Sequence, residues 1–139
     1  MEGWFEVPVR VQYPQVDAQG VVHHAVYLHY FEYGRTEMLR ALAMPYARIE
    51  EEGIRLMVVE AGLSYRASAR YDDILRVRTR VQGTSRVRIH LEYRILRTGG
   101  EEVVCEGTMV LACIGADGRP RRLPPELSSA LERASSGSS

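Results

Sequence analysis

The chain has 139 residues, in which 18 arginines balance 18 acidic residues and lysine is absent, so the formal net charge is zero. This length predicts one domain, and 45% apolar with 26% charged residues is typical of a globular protein. Zero net charge argues against a polyanion-binding protein, and the missing lysines exclude a lysine nucleophile. No apolar run approaches the ~18 residues of a membrane helix, and the N-terminus is unlike a signal peptide.

The hydrophobic pattern predicts a strand, a long helix and then four more strands. Alternating apolar residues, with Val7, Val9, Val11 and Tyr13 on one face, predict a half-buried strand over residues 5–13. Helical spacing predicts a helix from about residue 22 to residue 44, where Pro45 ends it. Further strands are expected at 54–67, 74–84, 86–97 and 102–114, with turn residues between them, and a short helix from Pro125 to about residue 134.

These elements predict an α+β fold, because a single long helix must bury its apolar stripe by lying across the antiparallel sheet. We expect one domain over residues 1–134 and a flexible Ser/Gly tail at 135–139. The two cysteines, Cys105 and Cys113, fall in one predicted strand and lie about 26 Å apart at ~3.3 Å per residue. That distance excludes a disulfide between them, so we expect buried free thiols in a reducing cytoplasm rather than a catalytic cysteine.

Asp17 is the strongest candidate for a chemical role. It lies in an apolar segment, and Gly20 permits a tight turn into the predicted helix. A carboxylate before the free N–H groups of a helix N-terminus suits a base or nucleophile beside an oxyanion site. Alternatively, Asp17 only caps the helix, which the spacing alone favours.

Four segments carry a family resemblance, in this order: residues 17–27 (DAQGVVHHAVY), 30–40 (YFEYGRTEMLR), 65–73 (YRASARYDD) and 83–85 (GTS). Together they resemble the hotdog-fold acyl-CoA thioesterases of the 4-hydroxybenzoyl-CoA thioesterase family, and the likeness extends from about residue 7 to residue 120. The resemblance implies a long central helix wrapped by a curved antiparallel sheet of about five strands. It also implies hydrolysis of acyl-CoA without a metal or redox cofactor, by homodimers or homotetramers with active sites at the dimer interface.

The resemblance also implies roles for individual residues. Asp17 matches the catalytic carboxylate, as nucleophile or general base, and the backbone N–H of His24 matches the group that polarises the thioester carbonyl. The His24 ring either assists catalysis or lines the pocket. Two residues depart from the family pattern: Val16 replaces a threonine or cysteine, and His23 replaces a tyrosine and adds a titratable ring. The residues expected to contact the substrate are Gly20, Val22, His23 and Tyr27.

Arginines of the second half of the chain are candidates for binding the phosphates of coenzyme A. Residues 1–69 contain six arginines and nine acidic residues, a balance of −3, whereas residues 70–139 contain twelve and nine, a balance of +3. Arg86 and Arg88 are expected on one side of a strand, and Arg121 belongs to a cluster after the last strand. Guanidinium groups bind phosphate well, although an ordinary solvated strand face explains each arginine alone.

Three alternatives remain beside the acyl-CoA thioesterase. The enzyme could act on acyl groups carried by an acyl carrier protein, or the domain could bind acyl-CoA without catalysis. A metal site at His23, His24 and His29 is disfavoured, because adjacent helical side chains diverge by about 100° and positions 24 and 29 do not share a helix face.

Overall fold

A computed structural model describes residues 3–135, which form five strands and three helices. The strands are β1 (Trp4–Arg10), β2 (Ile54–Tyr65), β3 (Ile74–Thr84), β4 (Arg88–Arg97) and β5 (Val103–Gly115). The helices are α1 (Val26–Ala41), α2 (Tyr46–Glu51) and α3 (Pro125–Ser135). None of the helices among residues 3–135 is long and apolar enough to cross a membrane.

The strands form one antiparallel sheet in the order β1-β3-β4-β5-β2, with β1 and β2 at its edges. Bulges interrupt the pairing in β2 between Val58 and Glu60 and in β3 between Val81 and Gly83. Because a bulge bends its strand and increases the twist, the sheet curves around the helix. The predicted α+β architecture, with a long helix inside a curved five-stranded sheet, is confirmed.

Helix α1 packs closely on the inner face of the sheet. Phe31 stacks on Tyr93 of β4, with ring centroids 4.4 Å apart. One turn further along, Gly34 faces β3, where an added Cβ would lie 2.7 Å from Thr79 Oγ1 and 2.8 Å from Val77 Cγ1. The absence of a side chain at Gly34 therefore sets the distance between helix and sheet.

The structure corrects several predicted boundaries. Helix α1 begins at Val26 rather than near residue 22, because Val21 and Val22 pair with other segments instead of continuing the helix. Strand β1 ends at Arg10, and Tyr13, predicted on its half-buried face, is 73% exposed. Pro45 is the N-cap of a second helix, α2, which the sequence pattern did not predict. A fixed proline φ suits the start of a helix as well as the end of the preceding one.

The chain termini are only partly described. Helix α3 includes Ser135, the first residue of the predicted tail. The other tail residues, 136–139, and residues 1 and 2 of the N-terminus lie outside the described part of the chain.

Both cysteines lie in β5, where they are buried and free, as predicted. Burial raises the pKa of the Cys105 thiol to about 12 and also raises the pKa of Cys113. Since the thiolate is the nucleophilic form, neither cysteine is suited to nucleophilic catalysis.

Candidate active site

Asp17 lies at the tip of a small antiparallel turn that precedes α1. Val16 and Val22 form a β-bridge below the tip, and the Asp17 N–H donates to the Val21 carbonyl at 2.9 Å. The Gly20 N–H donates to the Asp17 carbonyl at 3.0 Å, and Gly20 has a φ of +81°, a conformation that glycine adopts at little cost. The turn therefore holds the Asp17 backbone on both sides.

The Asp17 carboxylate is exposed at this tip and only partly engaged. Its Oδ1 accepts a hydrogen bond of 2.8 Å from the Gln19 N–H, and Oδ2 has no partner within residues 3–135. The alternative that Asp17 caps the helix is wrong, because the N-cap residue of α1 is Ala25 and no side chain caps it. One oxygen thus orients the carboxylate while the other is available for chemistry.

The segment between the turn and α1 is fixed by hydrogen bonds on both sides of His24. The N–H and carbonyl of His23 pair with Gln15 O and the Val26 N–H, each at 2.9 Å. Beyond His24, its carbonyl accepts a hydrogen bond of 3.1 Å from the Tyr65 hydroxyl. The His24 N–H has no partner among the described residues, so a backbone donor is available two residues before the helix begins.

The two histidine rings stack on each other, with centroids 4.3 Å apart. The Nδ1 atom of His23 accepts a hydrogen bond of 3.2 Å from the Ala25 N–H, which requires that this nitrogen carry no proton. The His23 ring therefore accepts a hydrogen bond from the backbone just before the helix begins, whereas the His24 ring is exposed. Over residues 3–135, no group of three or more His, Cys, Asp or Glu side chains is arranged to hold a metal ion.

Tyrosines form the inner wall behind this segment. Tyr27 is 3% exposed and contacts the rings of Tyr30, at 6.0 Å between centroids, and Tyr65, at 5.7 Å. The Tyr30 hydroxyl donates a 2.7 Å hydrogen bond to Gln15 Oε1. Burial raises the pKa of Tyr27, and it raises the pKa of Tyr30 to about 12, so both remain protonated hydrogen-bond donors at neutral pH.

The substrate-contact residues predicted from the sequence fall into two groups. Gly20 and His23 are exposed around the turn, whereas Val22 and Tyr27 are buried. Val22 donates its N–H to the Ala69 carbonyl at 2.8 Å and thereby ties the turn to the segment before β3. Val22 therefore supports the turn from behind, and Tyr27 lies in the aromatic wall.

The phosphate-binding candidates lie at the other end of the sheet. Arg86 lies in the bend before β4, not in the strand as predicted, and Arg88 is the first residue of β4. The Leu123 N–H donates to the Arg86 carbonyl, and Arg121 lies against Gly115, which brings the two arginine segments together. Within residues 3–135, none of Arg86, Arg88 and Arg121 pairs with a carboxylate.

This arginine group cannot reach the Asp17 turn of its own chain. The turn is tied to Ala69 and Arg70, just before β3 begins, whereas Arg86 follows the end of β3. The eleven residues of β3 span about 33 Å at ~3.3 Å per residue. A single subunit therefore places the two groups at opposite ends of the sheet.

Sequence reasoning missed three residues around the site. Gln15 connects the turn to α1, and Tyr65 at the end of β2 reaches the His24 carbonyl. The Arg70 guanidinium lies beside the turn, with Nη1 3.9 Å from the position of a Cβ on Gly20. Tyr65 and Arg70 belong to the segment 65–73 that resembles the family, and this resemblance was the one feature of the sequence that could have indicated them. No local pattern relates them to Asp17.

A curved sheet wrapped around one helix, with a carboxylate turn and a free backbone donor before that helix, defines a hotdog-fold protein with a candidate hydrolytic site. Residues 11–131 match the Thioesterase-like superfamily, and the chain belongs to this superfamily. It is 35% identical to the acyl-CoA thioesterase YbgC of Haemophilus influenzae over 133 residues, which cover 94% of this chain and 96% of the relative.

Two further relatives extend the comparison. The crystal structure of a probable thioesterase from Bartonella henselae is 31% identical, with a TM-score of 0.82 over 87% of this chain and 99% of that chain. The chloroplastic acyl-acyl carrier protein thioesterase ATL3 of Arabidopsis thaliana is 28% identical, over 93% of this chain and 68% of the plant protein.

Proposed function

We propose that this protein hydrolyses acyl-CoA thioesters to a free carboxylic acid and CoA-SH. One observation carries the proposal: the Asp17 carboxylate, with one oxygen free, and the His24 N–H, which has no partner within residues 3–135, lie in one hydrogen-bonded backbone segment. These groups supply what thioester hydrolysis requires, namely a base or nucleophile and a donor for the developing oxyanion. The 35% identity to an acyl-CoA thioesterase supports the substrate class.

Two routes use the same groups. As a general base, Asp17 takes a proton from a water molecule whose oxygen attacks the thioester carbonyl carbon. As a nucleophile, Asp17 attacks that carbon itself and forms an anhydride, which water then hydrolyses. In both routes the C–S bond breaks, the CoA thiolate leaves and is protonated, and the His24 N–H stabilises the oxyanion. Neither route requires a metal or redox cofactor, and we propose that none is used.

We also propose that the active unit is a homodimer joined along β2, and that two dimers form a homotetramer. β2 is an edge strand, and its Met57, Val58 and Val59 are 40–48% exposed. An exposed edge of this kind is a template for pairing with another strand. The Tyr65 end of β2 lies at the Asp17 site, whereas the Ile54 end pairs with Gly115 beside Arg121.

Antiparallel pairing of two β2 strands would bring the arginine group of one subunit to the Asp17 turn of the other. This arrangement gives Arg86, Arg88 and Arg121 a role in binding the phosphates of coenzyme A despite their distance from Asp17 in their own chain. Guanidinium groups without carboxylate partners suit a 3′-phosphate and a diphosphate. We also propose a location in the cytoplasm, and the two buried free thiols support it because a reducing compartment keeps thiols free.

The test is a free-thiol release assay on short, branched, long and aromatic acyl-CoAs with Asp17→Asn as the variant. We expect hydrolysis of at least one substrate and a loss of ~10²-fold or more in the variant, in the range of a positioned acid–base group. Asp117→Asn is the matched control, because Asp117 Oδ1 also accepts a backbone hydrogen bond two residues on, from Arg119, in a turn with a glycine of positive φ. Full activity in Asp17→Asn would refute the assignment.

An acyl-carrier-protein thioesterase is the second candidate, favoured by the likeness to the plant acyl-acyl carrier protein thioesterase ATL3. The same assay with matched acyl-CoA and acyl-carrier-protein substrates separates the two: a higher kcat/KM on the carrier-bound acyl group would favour this candidate. Binding of acyl-CoA without release of thiol from any substrate would instead indicate a non-catalytic acyl-CoA-binding domain.

A further inference from the structure

We infer that Tyr65 is a positioning residue of the oxyanion site, whose hydroxyl keeps the His24 N–H available to the thioester carbonyl. This inference rests on the proposed function and names a residue to which that function assigns no role. Tyr65 acts through the His24 backbone and does not touch the reacting atoms.

Two peptide planes meet at His24. The plane on the N-terminal side contains the His24 N–H and the His23 carbonyl, and that carbonyl is held by the Val26 N–H. The plane on the C-terminal side contains the His24 carbonyl and the Ala25 N–H, which are held by the Tyr65 hydroxyl and by His23 Nδ1. Only the His24 N–H is left without a partner among the described residues.

Tyr65 is the one group in this set that comes from a distant part of the chain. The Val26 and His23 bonds are formed within the turn before α1, whereas Tyr65 lies 41 residues from His24, at the end of β2. The Val22–Ala69 hydrogen bond ties the turn before His24 to the segment before β3. Among the described residues, the two peptide planes at His24 receive only the Tyr65 hydrogen bond from the sheet. The Tyr65 hydroxyl therefore fixes the donor in the frame of the sheet, and a fixed donor needs no reorganisation as negative charge develops on the oxygen.

Ring and hydroxyl of Tyr65 have separable roles. The ring contacts Tyr27 at 5.7 Å between centroids, and Tyr65 is half exposed, so its hydroxyl adds little to the packing of the core. Tyr65→Phe keeps the ring contact and removes only the hydrogen bond. This variant isolates the positioning role from a general loss of structure.

The experiment compares Tyr65→Phe with the wild-type enzyme in turnover and in binding of two inert analogues. We expect kcat/KM to fall by about 3- to 10-fold, the loss typical of one hydrogen bond. One analogue is an acyl-CoA ketone with CH₂ in place of the thioester sulfur; the other is an S-alkyl-CoA, which has no carbonyl. The variant should bind S-alkyl-CoA with unchanged Kd but polarise the ketone less, which shifts the ¹³C resonance of the bound carbonyl upfield.

Tyr33→Phe is the matched control, because Tyr33 is an exposed tyrosine of α1 whose hydroxyl has no partner within residues 3–135. It should leave turnover, both affinities and the ¹³C shift unchanged. If Asp17→Asn abolishes activity while Tyr65→Phe changes neither kcat/KM nor the ¹³C shift, only the role of Tyr65 is refuted. Equal losses of affinity for both analogues would indicate a structural role and also refute it. Failure of the wild-type protein to bind either analogue would refute the proposed function and this inference together.

Discussion

Gln15 connects the Asp17 turn to helix α1 through a hydrogen bond, and the loss of that bond should lower the stability of the protein. Its Oε1 accepts hydrogen bonds from the Tyr30 hydroxyl at 2.7 Å and from the Gln12 N–H at 2.8 Å. In Gln15→Leu, water can replace the bond to the exposed Gln12, but the Tyr30 hydroxyl, on a residue only 2% exposed, loses its partner. An unsatisfied buried hydroxyl costs about 1–3 kcal/mol, so we expect this loss in the free energy of unfolding.

A double-mutant cycle separates that penalty from other effects of the substitution. Tyr30→Phe removes the donor and should cost about 0.5–1.5 kcal/mol by itself. Gln15→Leu combined with Tyr30→Phe should cost less than the sum, with a coupling energy of at least 0.5 kcal/mol, because no donor is then left unsatisfied.

The measurements are urea denaturation and kcat on one acyl-CoA for the four proteins of the cycle. All three variants should also lose kcat, because each removes the hydrogen bond that ties the Asp17 turn to α1. Additive losses of stability within error would show that the Gln15–Tyr30 bond does not form, and the reasoning would then be wrong.

Two further predictions follow from the raised pKa values and from the arginines. Burial raises the pKa of Cys105, Tyr30 and Tyr93 to about 12, above the unfolded values of 9.0 and 10.0, so the folded state holds these protons more tightly. The stability that these three groups contribute should therefore be fully present below about pH 9 and be lost as the pH rises toward 12, with a shallower fall in Cys105→Val. A urea midpoint that does not change from pH 8 to 11 would contradict this. In the second prediction, the double variant Arg86→Ala/Arg88→Ala raises KM for acyl-CoA more than for an acyl-pantetheine. Mixing this variant with Asp17→Asn should restore activity, because each mixed dimer contains one site with both an intact Asp17 and intact arginines. Equal effects on the two substrates would show that these arginines do not bind the phosphates, and the absence of complementation would refute a site shared between two subunits.

Local patterns were sufficient for much of the fold. β3 lies at residues 74–84 as predicted, because buried residues alternate regularly with partly exposed arginines along it. The predicted start of α1 was four residues too early, because Val21 and Val22 fit helical spacing but pair with Arg70 and Val16 instead. Tertiary pairing of this kind overrides a local periodicity, which contains no information about a distant partner.

The same reasoning explains which parts of the site could be predicted. Asp17 and Gly20 were found because aspartate is scarce in this chain and here lies close to a glycine in an apolar segment. Tyr65 was missed because its partner, His24, is 41 residues away, and a hydrogen bond over that separation leaves no spacing to detect. The distance between Arg86 and Asp17 could not be predicted either, because it depends on the length and direction of β3, which place the two residues at opposite ends of the sheet.

Burial of both cysteines has a consequence for an enzyme whose proposed product is itself a thiol. Cys105 and Cys113 are the only cysteines in the sequence, and burial raises the pKa of both. Exchange with a disulfide requires an accessible thiolate, so coenzyme A disulfide has no site on the folded protein at which to form a mixed disulfide. Burial also keeps the folded enzyme from reacting with the coloured disulfide reagents that detect released thiol. In such an assay the absorbance change therefore reports thioester hydrolysis alone.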